Sequence, residues 1–210
     1  MIATIFRDQG ISPVPERPMA WRTFLAAHWG TIAAADFFTS EVWTARGLVT
    51  FYTVFVIELA SRRVHLVGST PQPDDAFMVQ IARTLTHAGD GALVGHQILI
   101  CDRDTKWSTA FRQTLAAAGI RVVQTPYHAP DCNAYAERFV RSIKEECVDR
   151  LVLLGEAHLR RAPPEFAAHY HYERNHQGLH NRLIVSAPTG PPNGAIRCCP
   201  RLGGLLRYYC

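Results

Sequence analysis

Hydrophobic and polar positions alternate with different periods along the chain, and these periods predict its elements. Residues 31–38 are apolar except for Asp36, and two runs rich in β-branched and aromatic residues follow at 48–59 and 62–70. Ala60 and Ser61 separate the two runs. Short strands divided by tight turns pair in sequence order, so we predict three antiparallel strands in a meander.

Beyond the meander, helical and extended patterns alternate. Apolar positions recur at helical spacing from Asp74 to about His87, and Ser108 begins a second helix. The short apolar runs 96–102 and 120–124 are predicted strands. Strand, helix, strand and helix in this order imply parallel pairing. The predicted fold is therefore α/β, with a mixed sheet of the ribonuclease-H-like type flanked by helices.

The second half of the chain is predicted to be mainly helical. Residues 133–151 contain no glycine or proline and form a predicted long helix. A further helical stretch covers about 156–175. Pro163 and Pro164 stand side by side within it and are expected to break it or to start a new helix there.

Composition limits the class of protein. The 210 residues are 48% hydrophobic and 19% charged, which suits one globular domain and excludes disorder. The net charge of +4 permits a phosphate-rich partner without requiring one. No apolar run approaches the roughly 20 residues of a membrane helix, and the start lacks a signal-peptide pattern. We expect a cytoplasmic protein with reduced cysteines and no membrane partner.

Histidines cluster near the C-terminal end, but their spacing does not favour zinc. The cluster consists of His169, His171, His176 and His180. His169 and His171 are two residues apart and would point to different sides of a helix.

Three carboxylates occupy positions that core packing does not explain. Asp36 interrupts an apolar strand, where an ionised carboxylate is costly unless a cation or hydrogen bonds compensate it. Asp102 ends a second apolar strand, the place where an open α/β sheet presents side chains to a ligand. Glu137 lies one turn into the long helix. These residues are the candidates for chemistry.

The helix that carries Glu137 has two faces. Asn133, Glu137, Arg141 and Lys144 share a polar face opposite an apolar stripe. A carboxylate followed by cations suits a metal ion beside a phosphate backbone. The same pattern also suits an ordinary solvated face with a Glu–Arg pair, and the helix alone does not decide between the two.

Three segments resemble the catalytic core of the DDE integrases and transposases, specifically the bacterial insertion-sequence group. They are ADFFT at 35–39, DRDTKW at 102–107 and NAYAERFVRSIKEE at 133–146. Asp36, Asp102 and Glu137 match the acidic triad of that family. Thirty-four residues separate the last two, close to the D,D-35-E spacing. YHYERNHQGLHNRL at 170–183 resembles the stretch that closes such cores.

The resemblance implies a two-metal polynucleotidyl transferase acting on DNA. Asp36, Asp102 and Glu137 would be catalytic residues and ligands of Mg²⁺ or Mn²⁺, which prefer hard oxygen donors. Asn133, Arg141 and Lys144 match positions that the family places against DNA, and Lys106 is a further candidate for phosphate contact. The implied partners are element ends, target DNA and further copies of the chain, and the implied location is the bacterial nucleoid.

Other charged residues near the three acids and in the tail are expected to have different roles. Asp104 is expected to support Asp102 or cap its loop, although it could itself be a ligand. Asp131, Glu145 and Glu146 read as loop and surface charges, and His128 as a solvated loop residue that could reach phosphate. The tail carries Arg197, Arg201 and Arg207, which could track DNA or belong to a flexible end.

The predicted organisation is a lead-in over 1–30, a catalytic core over 31–182 and a basic tail rich in proline and glycine over 183–210. Full-length relatives carry a helix-turn-helix module before the core, and about thirty residues are too few for one. Two alternatives to a strand transferase therefore stay open. One is a non-catalytic DNA-binding or regulatory remnant that pairs with a full-length transposase. The other is a ribonuclease-H-like nuclease that acts on duplexes containing RNA.

Overall fold

A computed structural model describes residues 21–126, 133–186 and 196–209, with the side chains of residues 21 and 22 outside the description. The expectations for most of the lead-in, for His128, Asp131 and Cys132, and for part of the tail lie outside the described residues. None of the described helices combines the length and the apolar character that crossing a membrane requires.

The centre of the molecule is a mixed sheet. Its main strands are β1 (Ile32–Thr44), β2 (Gly47–Glu58), β3 (Val64–Thr70), β4 (Ile98–Cys101) and β5 (Arg121–Gln124), in the spatial order β3-β2-β1-β4-β5. The first three strands pair antiparallel, whereas β4 pairs parallel with both β1 and β5. The predicted meander and the predicted parallel strands are both confirmed, and with them the ribonuclease-H-like mixed sheet.

Five α-helices within the described ranges accompany the sheet. They are α1 (Trp21–His28), α2 (Asp75–Leu85), α3 (Thr109–Ala117), α4 (Ala134–Glu146) and α5 (Gly155–Tyr172). Two begin at the predicted caps, because the side chain of Asp74 accepts a hydrogen bond from Phe77 N and that of Ser108 accepts one from Phe111 N. The predicted long helix ends earlier than expected, and a 3₁₀ turn, Val148–Arg150, follows it.

Two hydrophobic cores lie on opposite faces of the sheet. One is formed with α4 and α5 and includes Phe38, Phe55 and Phe139. The other is formed with α2 and α3 and includes Met78 and Trp107. Alternate residues of β1 contribute to each, with Ala34 in the first and Ala35 in the second. This period of two decides which face every later residue of the strand serves.

The expectation that Pro163 and Pro164 break the helical stretch is wrong. Helix α5 runs through both prolines without interruption. The fixed φ of proline is compatible with a helix, but each proline removes a main-chain donor and its ring crowds the carbonyl four residues earlier, so the pair is locally unfavourable. Buried residues on both sides hold the helix against the sheet, among them Leu159, Ala162 and Phe166. Tertiary packing outweighs the two missing hydrogen bonds.

The described end of the tail is folded. Strands β7 (Cys198–Arg201) and β8 (Leu206–Tyr209) form an antiparallel hairpin, and a two-residue strand β6 (Leu153–Leu154) extends the main sheet beside β1. Arg201 forms ion pairs with Glu173 at 2.6 Å and with Glu165 at 2.7 Å. The expectation that Arg201 tracks DNA is therefore corrected, because these carboxylates at α5 occupy its guanidinium.

Candidate functional site

Asp36 lies within β1, and Asp102 directly follows the neighbouring strand β4. In the parallel pairing of β1 with β4, Ala34 is opposite Ile100, and this is the last pair of the register. Each acid lies two residues beyond that pair, at the same end of the paired segment. Adjacent strands are about 4.8 Å apart. Ala34 belongs to the core beneath α4 and α5, so the strand period places Asp36 on that face of the sheet.

The start of α4 is hydrogen-bonded to β1 at the residue before Asp36. The side-chain amide of Asn133 donates a hydrogen bond of 3.3 Å to the carbonyl oxygen of Ala35. Glu137 follows one turn later and is exposed. The structure thus brings the N-terminal turn of α4, with its carboxylate, to the strand that carries Asp36.

Asn133 is a buried residue at the start of α4. Its side chain is 6% exposed, and its Oδ1 makes no hydrogen bond in the described structure. Contact of Asn133 with DNA stays a prediction, and in the described structure its amide is directed at the main chain of β1. Its role in the described structure is to dock α4 on the sheet.

The electrostatic environment of Asp36 links the three acids. The pKa of Asp36 is raised to about 6, mainly by burial, although a hydrogen bond from Phe37 N at 2.7 Å acts to lower it. The negative charges of Asp102, Glu137 and Asp104 contribute to the rise. The carboxylates therefore lie close enough to repel one another, and a cation between them would relieve that repulsion.

The donor set has the chemistry of a Mg²⁺ or Mn²⁺ site, since it consists of carboxylate oxygens. Within the ranges that the structure describes, no three His, Cys, Asp or Glu side chains stand in an arrangement that could already hold a metal ion. This holds for the acidic triad and for the histidine cluster. The three acids are thus near enough for their charges to affect Asp36, and Glu137 is exposed.

The histidines of the cluster are used structurally. His169 is bonded to Glu173 at 2.9 Å, and His176 to the carbonyl oxygen of Tyr170 at 2.7 Å. His171 accepts a hydrogen bond from Val64 N. Each of these three histidines thus has a ring nitrogen engaged in a hydrogen bond within the chain.

The loop after β4 is built on Asp102. Its Oδ1 accepts hydrogen bonds from Trp107 Nε1 at 2.6 Å and from Asp104 N at 3.1 Å. Asp104 in turn accepts from Lys106 N and forms an ion pair with the Lys106 side chain. Burial acts to raise the pKa of Asp104, but the hydrogen bonds from Lys106 hold it below its ordinary value. Asp104 caps the loop, as the sequence indicated.

Lys106 and the cations of α4 differ in availability. The ammonium group of Lys106 is paired with Asp104 and lies 5.3 Å from the ring centre of Tyr52. Arg141 is exposed and Lys144 is half-buried on the outer side of α4. Contact of Lys106, Arg141 and Lys144 with DNA stays a prediction.

Sequence reasoning missed two residues of this site. Arg138 is exposed on α4 between Glu137 and Arg141, and its spacing of three residues from Arg141 was the available signal. Trp107 belongs to the DRDTKW segment, yet its bond to Asp102 depends on the fold of the loop. No sequence period indicates that bond.

Two cavities of the described structure lie away from the acids. One of about 260 Å³ is lined by Leu153, His158 and Leu202 among others, between α5 and the C-terminal hairpin. Another of about 300 Å³ lies between α5 and strands β2 and β3, next to Pro163 and Pro164.

Comparison with known proteins supports the resemblance found in the sequence. Residues 118–183 match the family model described as an integrase core domain. The matched range includes Glu137, Arg141 and Lys144, whereas Asp36 and Asp102 precede it. No curated protein matches the chain in sequence.

Three solved structures are similar to the chain at low identity. The catalytic core domain of BIV integrase is 14% identical, with a TM-score of 0.41 over 56% of this chain and 68% of that one. A simian T-cell lymphotropic virus intasome in complex with PP2A regulatory subunit B56 gamma is 15% identical, with a TM-score of 0.49 over 86% and 66%. The HTLV-2 integrase catalytic core domain in complex with magnesium, in a trimeric form, is 12% identical, with a TM-score of 0.42 over 55% and 68%.

Proposed function

We propose that this chain is the catalytic core of a metal-dependent DNA strand transferase, with Asp36, Asp102 and Glu137 as its catalytic acids. The observation that supports the proposal is the parallel pairing of β1 with β4, since Asp36 and Asp102 each follow its last pair by two residues, near the docked start of α4. The match of residues 118–183 to the integrase core domain supports the same reading.

The side chains divide the work in the following way. Asp36, Asp102 and Glu137 would hold Mg²⁺ or Mn²⁺ through their oxygens. Two such ions, when bound, activate water or a DNA 3′-hydroxyl and neutralise charge on the attacking and leaving oxygens of a phosphodiester. Arg138, Arg141 and Lys144 would bind the phosphate backbone along α4. No protein nucleophile is needed, which agrees with the absence of one from the triad.

The chemical test is cleavage and joining of DNA by the whole chain. We expect Mg²⁺- or Mn²⁺-dependent nicking, or transfer of an oligonucleotide 3′-end into a plasmid. Asp36→Asn, Asp102→Asn and Glu137→Gln should each reduce the rate at least 100-fold, because each removes a metal ligand. Glu145→Gln is the matched control, since Glu145 is an exposed acid two turns further along α4. Equal rates for the wild type and the triad variants would refute the enzymatic proposal.

The same experiment separates the alternatives. A DNA-binding remnant would bind DNA in a salt-dependent manner and leave it intact with either metal. A ribonuclease-H-like nuclease would cut an RNA–DNA hybrid and spare the DNA duplex. We also propose that the chain forms oligomers and pairs with a full-length transposase. Light scattering with and without DNA tests oligomer formation.

A stability measurement tests the acids without catalysis. Asp36→Asn keeps an oxygen for Phe37 N and removes one of the mutually repelling charges. In EDTA at pH 7.5 we expect this variant to be more stable than the wild type by about 1–3 kcal/mol. Mg²⁺ should raise the melting temperature of the wild type but not that of the variant. A wild-type melting temperature that changes with neither Mg²⁺ nor Mn²⁺ would contradict the proposed site.

A further inference from the structure

Trp107 is a fully buried residue that contacts Asp102 of the candidate site. Its side chain is 1% exposed and belongs to the core between the sheet and helices α2 and α3. Its ring lies 4.7 Å from that of Phe37 and 5.3 Å from that of Phe111, measured between ring centres. These contacts fix the plane of the indole, so its N–H group has one direction.

That N–H group is directed at Asp102. The bond from Trp107 Nε1 to Asp102 Oδ1 is 2.6 Å long, and the main-chain N–H of Asp104 approaches the same oxygen at 3.1 Å. Two donors on one oxygen set the rotation of the carboxyl group. Among the described residues no donor is bonded to Oδ2, so Oδ2 is the oxygen left for a cation.

The same indole also reaches the strand of Asp36. Phe37, which stacks against Trp107, donates its main-chain N–H to Asp36 Oδ1 at 2.7 Å. One rigid side chain therefore lies in contact with Asp102 itself and with the residue whose main chain orients Asp36. Ligands of metal ions are commonly held by such outer partners, whose loss weakens metal binding about 10–100-fold.

We propose that Trp107 is a positioning residue for the metal site, and that its indole N–H turns Asp102 so that Oδ2 points to the cation. This inference rests on the proposed function. It predicts that removing a single buried N–H group, five residues after Asp102 in sequence, alters metal affinity.

Trp107→Phe isolates that N–H group, because phenylalanine keeps an aromatic ring between Phe37 and Phe111 and has no donor. The measurement is direct Mn²⁺ binding to the whole chain, followed by the electron paramagnetic resonance signal of free Mn²⁺. We expect the variant to stay folded by circular dichroism and to bind Mn²⁺ about 10–100-fold more weakly than the wild type. Trp43→Phe is the matched control and should bind as the wild type does, since Trp43 is 54% exposed near the far end of β1.

The outcomes distinguish this inference from the function on which it rests. Wild-type affinity in a folded Trp107→Phe chain would overturn the positioning role and leave the proposed function standing. A wild-type chain that binds no Mn²⁺, or binds it as well after Asp36→Asn, would overturn both.

A second measurement keeps the inference testable if the variant does not fold. The indole N–H resonance of Trp107 in the ¹⁵N-labelled wild type can be identified by elimination with phenylalanine variants of the other tryptophans. We expect it to shift during a Mg²⁺ titration, while the resonance of Trp43 stays in place. An indole resonance of Trp107 that does not respond at saturating Mg²⁺ would overturn the proposal.

Discussion

At the scale of single residues, burial and specific hydrogen bonds change how Asp36 and His171 titrate. Asp36 is stabilised by Phe37 N and destabilised by burial and by neighbouring acids. His171 is half-buried and neutral, with Nε2 accepting a hydrogen bond from Val64 N at 2.9 Å. Such groups titrate differently in the folded and unfolded chain, and so they make stability depend on pH.

His171 provides a test of this dependence. Its pKa is lowered to about 4, mainly by burial and also by the nearby His65, Arg63 and His176, against an opposing effect of Glu58. Because the folded pKa is depressed, the contribution of His171 is complete above the unfolded value of 6.5 and is lost as the pH falls toward 4.

The variant His171→Gln retains an acceptor for Val64 N and does not titrate. We expect the wild type to lose more unfolding free energy than this variant between pH 7.5 and pH 5, measured by urea denaturation. Other titrating groups, Asp36 included, are present in both proteins and cancel in the comparison. A difference between the two proteins that stays constant with pH would disprove the assignment.

At the scale of elements, helix α5 shows packing overriding local preference. Pro163 is buried against the sheet, whereas Pro164 is exposed, and neither can donate a main-chain hydrogen bond. The C-terminal hairpin is held to the same helix by Arg201, which bridges Glu165 and Glu173. Helix α5 therefore gains contacts from both the sheet and the hairpin that compensate for its prolines.

Replacing the exposed proline should strengthen the helix. Pro164→Ala restores an N–H group that can bond to the carbonyl of Arg160, and it loses only the restriction that proline places on the unfolded chain. We expect the free energy of unfolding to rise by about 1–2 kcal/mol, measured by urea denaturation. Pro163→Ala is the comparison, and it should gain less because it loses buried contact. A Pro164→Ala chain less stable than the wild type would show that the proline is required.

At the scale of the whole molecule, the two faces of the sheet contribute different residues to the candidate site. The face beneath α4 and α5 carries the acids and the cations Arg138, Arg141 and Lys144. Trp107 lies in the core on the opposite face, beneath α2 and α3, and is hydrogen-bonded to Asp102. If DNA binds along α4 as proposed, the cations of α4 would face the phosphates of the DNA. The three carboxylates would face the phosphodiester that reacts.

Salt dependence of DNA binding tests this arrangement. Arg141→Gln should lower affinity for duplexes of any sequence and reduce the slope of log K against log salt concentration by about 0.9, the value for one phosphate contact. Arg83→Gln removes an equally exposed cation from α2 on the other face and should leave the slope unchanged. Fluorescence anisotropy over a range of KCl concentrations measures both. Equal slopes for the two variants would place the DNA elsewhere.

The hydrophobic pattern by itself determined the elements and their order. Apolar runs with turn residues between them predicted strands β1 to β5, and the caps Asp74 and Ser108 predicted the starts of α2 and α3. These features depend on neighbours in sequence, where period and capping act. The segments around Asp36, Asp102 and Glu137 also stood out, since a charge in an apolar run requires a reason.

Only the tertiary structure decided how these residues meet. The register of β1 with β4, the bond from Asn133 to Ala35 and the indole of Trp107 on Asp102 all join distant parts of the chain. The same is true of the unbroken α5 and of the docking of Arg201. Each depends on which surfaces are buried together, because burial sets the energy of an unpaired polar group or a missing hydrogen bond, and local sequence does not contain that information.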